Sequence, residues 1–214
     1  MVENRKVLSK GMYYFLSWTW GFLMSFIGLI VIGSIKLWCF LTKKDCPLKT
    51  WGYSKYLNVG RSWGGLEFGM WFLTDSSDGR YVKNHELGHG VQNCFWGPLT
   101  LFVIFLPSAI RYWIFNFKTI KSKYTFAGVL TLIAWMLATS FLIVGLTYNS
   151  IFCYILSTIL FVYFAIISLW LNYIEIPKHK NNKTVNYYSI WFEGDASRTG
   201  AKYINYLEEN QKNV

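Results

Sequence analysis

Two of the three histidines in this 214-residue chain stand four residues apart, with a glutamate directly after the first: His85-Glu86-Leu87-Gly88-His89. On a helix, positions i and i+4 share one face a single turn apart, so both imidazoles can offer a nitrogen to one metal ion. Glu86 sits one step further round, beside such an ion rather than on it. There a carboxylate can take a proton from a water whose pKa the ion has lowered. The chemistry this spacing predicts is metal-assisted hydrolysis, with Zn2+ as the expected cofactor and Glu86 as general base.

A catalytic zinc usually has three protein ligands and one open position, so a third ligand has to come from elsewhere in the chain. Glu193 is favoured, in Trp191-Phe192-Glu193-Gly194-Asp195-Ala196-Ser197. The small residues around it would let its helix pack closely against the one carrying His85. Asp195, His179, Glu175 and Glu67 are the alternatives. Tyr187, Tyr188 and Arg198 are candidates for stabilising a developing oxyanion, and spacing alone does not choose among them.

The His-Glu-Leu-Gly-His sequence, followed by Glu193 and Ala196 as Glu-x-x-Ala, resembles the gluzincin branch of zinc metallopeptidases. The wider pattern Asn84 to Asn93, Pro107 to Trp113 and Trp191 to Gly194 also resembles a group of small bacterial integral-membrane proteins. The resemblance implies His85, His89 and Glu193 as zinc ligands and Glu86 as general base. It covers these segments rather than the whole chain with equal force. Lys83 departs from it, being charged where such peptidases usually carry an uncharged residue.

The elements that must position these residues are mostly apolar. Hydrophobic residues make up 53% of the chain and charged ones only 15%, against about 25% charged in an ordinary soluble domain. No Asp, Glu, Lys or Arg occurs from Gly11 to Ile35, Cys94 to Ile110 or Tyr124 to Ile174. Residues 12–35 are long enough to span a hydrocarbon core of about 30 Å, and residues 124–147 and 151–173 form a helical hairpin around Tyr148-Asn149-Ser150. Residues 95–115 carry Pro98, Pro107 and Arg111 and are expected to be re-entrant or interfacial. The polar part is then 42–94, a small β-hairpin and the histidine helix, together with the tail 174–214. The fold class expected is mainly α, a single multipass membrane-embedded domain. Within it, residues 66–73 are the candidate edge for an extended substrate, a small structural hairpin being the alternative.

The formal net charge of +10 comes from Lys and Arg flanking the apolar runs, as membrane anchors do, and does not point to nucleic acid. Arg111, Lys118, Lys121 and Lys123 precede the hairpin and Lys178, Lys180 and Lys183 follow it, so both of its ends are expected to be cytoplasmic. Arg5, Lys6 and Lys10 nearly balance Lys36, Lys43, Lys44 and Lys49 across the first span, so charge hardly orients it. A site shared by His85 and Glu193 then requires the N-terminus outside and places the site at the cytoplasmic face of the cell membrane. Cys39, Cys46, Cys94 and Cys153 show no Cys-x-x-Cys spacing and suggest neither a metal cluster nor a disulfide framework. The activity expected is peptide-bond hydrolysis on a peptide or protein substrate, one associated with the membrane included. The alternatives are a zinc hydrolase of a lipid or non-peptide amide, and a non-enzymatic immunity or assembly protein with a structural metal site.

Overall fold

The structure is a computed structural model describing residues 7–180 and 185–212, so Arg5, Lys6 and Lys183 lie outside the described residues. It is mainly helical, with a four-stranded sheet and three helices long and apolar enough to cross a membrane: Phe22–Leu41, Ile120–Tyr148 and Ile151–His179. The chain separates into two units. One runs to Leu106 and resumes at Tyr188; the other is Pro107–Tyr187.

In the first unit the apolar run expected at 12–35 is two helices, α1 (Lys10–Trp18) and α2 (Phe22–Leu41). Only α2 has spanning length. The break follows from buried polar contacts that one straight helix would not make. The Tyr13 hydroxyl lies 2.7 Å from Ser54 Oγ, and Ser17 Oγ lies 3.4 Å from Cys94 Sγ. Asn93 Nδ2 donates to the carbonyl of Gly21 at the turn itself. Held by its own hydrogen-bonding side chains, α1 packs on the polar part of the molecule.

The expected hairpin is instead a sheet of four short strands, β1 (Lys49–Trp51), β2 (Ser54–Asn58), β3 (Gly65–Phe68) and β4 (Trp71–Thr74). Their order is β1-β2-β4-β3, with β2 and β4 parallel and the other pairs antiparallel. Tyr56 stacks on Phe72 across the parallel pair, ring centroids 4.8 Å apart. β4 is therefore internal, which confines the free edge expected at 66–73 to β3.

Helix α3 (Arg80–Trp96) carries the histidines, and α7 (Trp191–Lys212) lies along it. The contact works because small residues face each other. A Cβ on Gly88 would overlap the Ala196 carbonyl, and one on Gly200 would overlap that of Asn84. Leu87, Val91, Tyr203 and Ile204 join Tyr13, Leu57 and Leu73 in one buried cluster. After Trp96 the helical path breaks through a 3-10 turn at Gly97–Leu99 and a π turn at Leu101–Phe105, so 95–115 is not one straight helix. Pro98, and Gly97 at φ 55°, account for the stop.

The second unit contains α4 (Leu106–Asn116), most of it on this side of the division, and the antiparallel pair α5 (Ile120–Tyr148) and α6 (Ile151–Leu169). Ala127, Ala134, Ala138 and Gly145 form the buried stripe of α5, and Ser157 Oγ donates to the Ala138 carbonyl at 2.8 Å. Small residues of this kind let membrane helices approach closely. Arg111 and Glu175, both fully buried, pair at 2.8 Å.

Cys39 and Cys46 are joined as a disulfide at the end of α2, a link that the spacing of the cysteines did not suggest, while Cys94 and Cys153 are free. The turn at Thr42–Lys44, with Lys43 at φ 52°, folds the chain back and brings the two together. The close α3–α7 contact makes a direct prediction. Gly200→Ala should cost roughly 1–3 kcal/mol of stability, measured as a lower melting temperature in detergent. An unchanged melting temperature would contradict the contact.

Candidate metal centre

The first half of the site is set by the start of α3. The turn before it leads into Asp78, whose carboxylate accepts from Tyr56 Oη at 3.0 Å and Asn58 Nδ2 at 3.3 Å and pairs with Lys83 at 3.3 Å. Lys83, the residue that departs from the peptidase pattern, also lies over the Trp51 ring, 4.2 Å from its centroid. Trp51 Nε1 donates to Asn84 Oδ1 at 2.9 Å. These contacts fasten the helix to the sheet at the two residues before His85.

His85 and His89 then project from one face of α3, and Glu193 reaches them from the first turn of α7. Their donor atoms converge. The two Nε2 atoms are 3.1 Å apart, and Glu193 Oε2 lies 3.0 Å from His85 Nε2 and 3.5 Å from His89 Nε2. Four-coordinate zinc with bonds of about 2.0–2.1 Å would hold neighbouring donor atoms about 3.3 Å apart. This buried group could hold a metal ion.

The hydrogen bonds behind the imidazoles prepare their Nε2 lone pairs. Ser197 Oγ donates to the Glu193 carbonyl at 3.2 Å, leaving its oxygen to accept from His85 Nδ1 at 2.9 Å. Gln92 Nε2 donates to the Phe192 carbonyl at 2.8 Å and to Asp195 Oδ2 at 2.9 Å. That orients Gln92 Oε1 to accept from His89 Nδ1 at 2.8 Å. With both Nδ1 atoms carrying protons, two lone pairs and a carboxylate oxygen face one point, an arrangement that calls for positive charge.

The electrostatics say the same. Burial disfavours a charge on His89, yet the Glu193 carboxylate overcomes it and pushes the imidazole up to about 9. Burial lowers His85 despite its bond to Glu193. Burial would raise Glu193, but hydrogen bonds from both histidines outweigh it and hold that carboxyl well below the usual range. Glu86, pushed up to about 8 by burial, packs against β3, where Gly65 leaves no side chain in its way. A cation among the three donors would oppose the shift on Glu86.

The other expected residues fall elsewhere or behind the site. Asp195 holds Gln92. Glu175 is bound to Arg111, and His179 lies beside it, Nε2 4.0 Å from Glu175 Oε1. Glu67 is buried on β3, its carboxyl raised well above the ordinary value by burial, and Glu86 and His89 also act on it electrostatically. Among the oxyanion candidates, the Tyr187 hydroxyl is 3.0 Å from Ser108 Oγ in the second unit, and Arg198 is exposed. Tyr188 stands edge-on to His85, centroids 5.2 Å apart. Sequence reasoning assigned no role to Gln92 or Ser197. Both were within reach of it, being one helical turn beyond His89 and Glu193.

No family model matches this chain, and no curated protein or solved structure proves similar to it. The site therefore stands on its own geometry. Ser197→Ala and Gln92→Leu should each weaken metal affinity by roughly 10–100-fold, read by competition with a chromogenic chelator. Unaltered affinity in both variants would remove the orienting role argued for them.

Proposed function

We propose that this chain is a membrane-integral, zinc-dependent hydrolase of peptide bonds, of the kind its His-Glu-Leu-Gly-His segment resembles. The observation that carries the reading is the convergence of His85 Nε2, His89 Nε2 and Glu193 Oε2, with Glu86 beside them and not among them. A structural zinc site is usually closed by four protein ligands, whereas three leave one position for chemistry. His85, His89 and Glu193 would hold the ion. When bound, zinc supplies Lewis acidity, which acidifies a water and polarises a carbonyl.

The chain's own residues perform the rest. Glu86 takes a proton from the attacking water and passes it to the departing amine. Strand β3, at the edge of the sheet, offers main-chain groups to an extended peptide, and Gly65 lets that peptide lie close to Glu86. Tyr188 would donate to the developing oxyanion. It stands edge-on to His85, and its phenol, pushed up to about 12 by burial, keeps its proton at neutral pH.

Glu86→Gln should bind metal as the wild type does and cleave no quenched-fluorescent peptide. Tyr188→Phe should lower kcat by about 100-fold while leaving metal affinity intact. Cleavage retained by Glu86→Gln would end the hydrolytic role given to this carboxylate.

Three spanning-length helices support a multipass membrane location for this activity. For its orientation, the lysines flanking the α5–α6 pair favour a cytoplasmic site. The Cys39–Cys46 disulfide, between α2 and the sheet, favours an oxidising face. Thiol labelling in cells separates the two. A cytoplasmic site expects Cys39 and Cys46 to react as free thiols, and a closed disulfide there would place the site on the opposite face.

A further inference from the structure

Beyond the metal centre, the second unit carries a feature that hydrolysis leaves unused. Over Pro107–Tyr187 the sequence holds seven Lys and Arg residues (Arg111, Lys118, Lys121, Lys123, Lys178, Lys180 and Lys183) against a single acid, Glu175. The six that fall among the described residues, all but Lys183, lie at the end of the α5–α6 pair away from its turn. Arg111 and Lys123 are committed internally, the first to Glu175 and the second to the Ile114 carbonyl. Lys118 and Lys121 are exposed.

Beside them lies a groove of about 380 Å³ lined by Phe117, Lys121, Ser122, Thr125, Phe126 and Val129. That volume is in the range of small-molecule sites, about 300–1,000 Å³. Its lining follows from helical spacing: residues 121, 125 and 129 form one row of α5 and 122 and 126 the next. Phe117, from the segment before α5, meets Phe126 with ring centroids 5.2 Å apart and makes the wall. The groove is almost entirely apolar, apart from the lysine and the hydroxyls at one end.

Depth decides what could enter it. At 1.5 Å per residue the 29 residues of α5 extend about 43 Å, some 13 Å more than the hydrocarbon core of about 30 Å. With its turn end in the membrane, the first two turns of α5 reach headgroup level, and the groove spans that boundary. Below Val129 the helix continues into exposed Leu132, Ile133 and Met136, a surface suited to acyl chains. A ligand fitting both ends has a fatty chain and a negative head.

We infer that this groove is a binding site for an anionic phospholipid, with its phosphate between Lys118 and Lys121 and an acyl chain along Phe126 and Val129. A soluble anion would leave the apolar wall uncovered. A zwitterionic lipid would leave the two lysines without net countercharge. The site is separate from the metal centre and holds whether or not the chain cleaves peptides.

The test is native mass spectrometry of the full chain in detergent, titrated with phosphatidylglycerol or with phosphatidylcholine of the same acyl chains. Each surface lysine near anionic lipid contributes about fivefold in affinity, so the wild type should favour phosphatidylglycerol by roughly 25-fold. The Lys118→Gln/Lys121→Gln double variant should lose that preference at an unchanged melting temperature. Val129→Trp, which fills the groove, should weaken both lipids, and millimolar inorganic phosphate should not displace bound phosphatidylglycerol. Equal binding of the two lipids by the wild type would overturn the inference. So would a preference that survives the double variant, or displacement by phosphate alone.

Discussion

Helices α3 and α7 touch backbone to backbone, and the geometry of the candidate metal centre depends on that contact. Gly88 and Gly200 sit where any larger residue would collide with the opposite helix. Only at that separation can a side chain as short as Glu193 reach two imidazoles a turn apart. The same closeness puts Ser197 and Gln92 behind those imidazoles, so one packing contact brings the three donors together and gives each imidazole a hydrogen-bond partner. Desolvation makes the arrangement consequential. Buried lone pairs and a buried carboxylate facing one another are costly unless a cation or protons lie between them.

The histidine pair was legible because its information is local: four residues on one helix are enough to define a shared face. Glu193 was legible for a related reason, since an acid among small and aromatic residues marks a close helix contact, although Asp195 two residues on shares that setting. Elements that depend on distant partners were not. The parallel pairing of β2 with β4 has no local signature, and β1 is only three residues long. Apolar character of 12–35 concealed the break between α1 and α2, because Tyr13 and Ser17 count as ordinary members of a membrane run until Ser54 and Cys94 are seen beside them. Cys39 and Cys46 meet only through a turn at positive φ, which spacing could not reveal.

The two units divide the physical work. The first buries polar groups beside a small sheet and finds a hydrogen-bond partner for many of them. The second buries a small-residue stripe, an aliphatic cluster of Ile110, Ile114, Ile167, Leu171 and Ile176, and the Arg111–Glu175 pair, and turns many large apolar side chains outward. An outward apolar surface suits lipid and not water, and the cations at one end match the charge of a headgroup layer. Helix α2 gives the first unit an apolar surface of its own.

Metal content shows directly whether His85, His89 and Glu193 hold an ion. Protein purified in detergent, stripped and reloaded with zinc, would be measured by mass spectrometry for the wild type, His85→Ala and Glu193→Ala. About one zinc per chain is expected in the wild type, and loss of it in both variants. A wild type that takes up no zinc, or a Glu193→Ala variant that holds it as tightly as the wild type, would contradict the account.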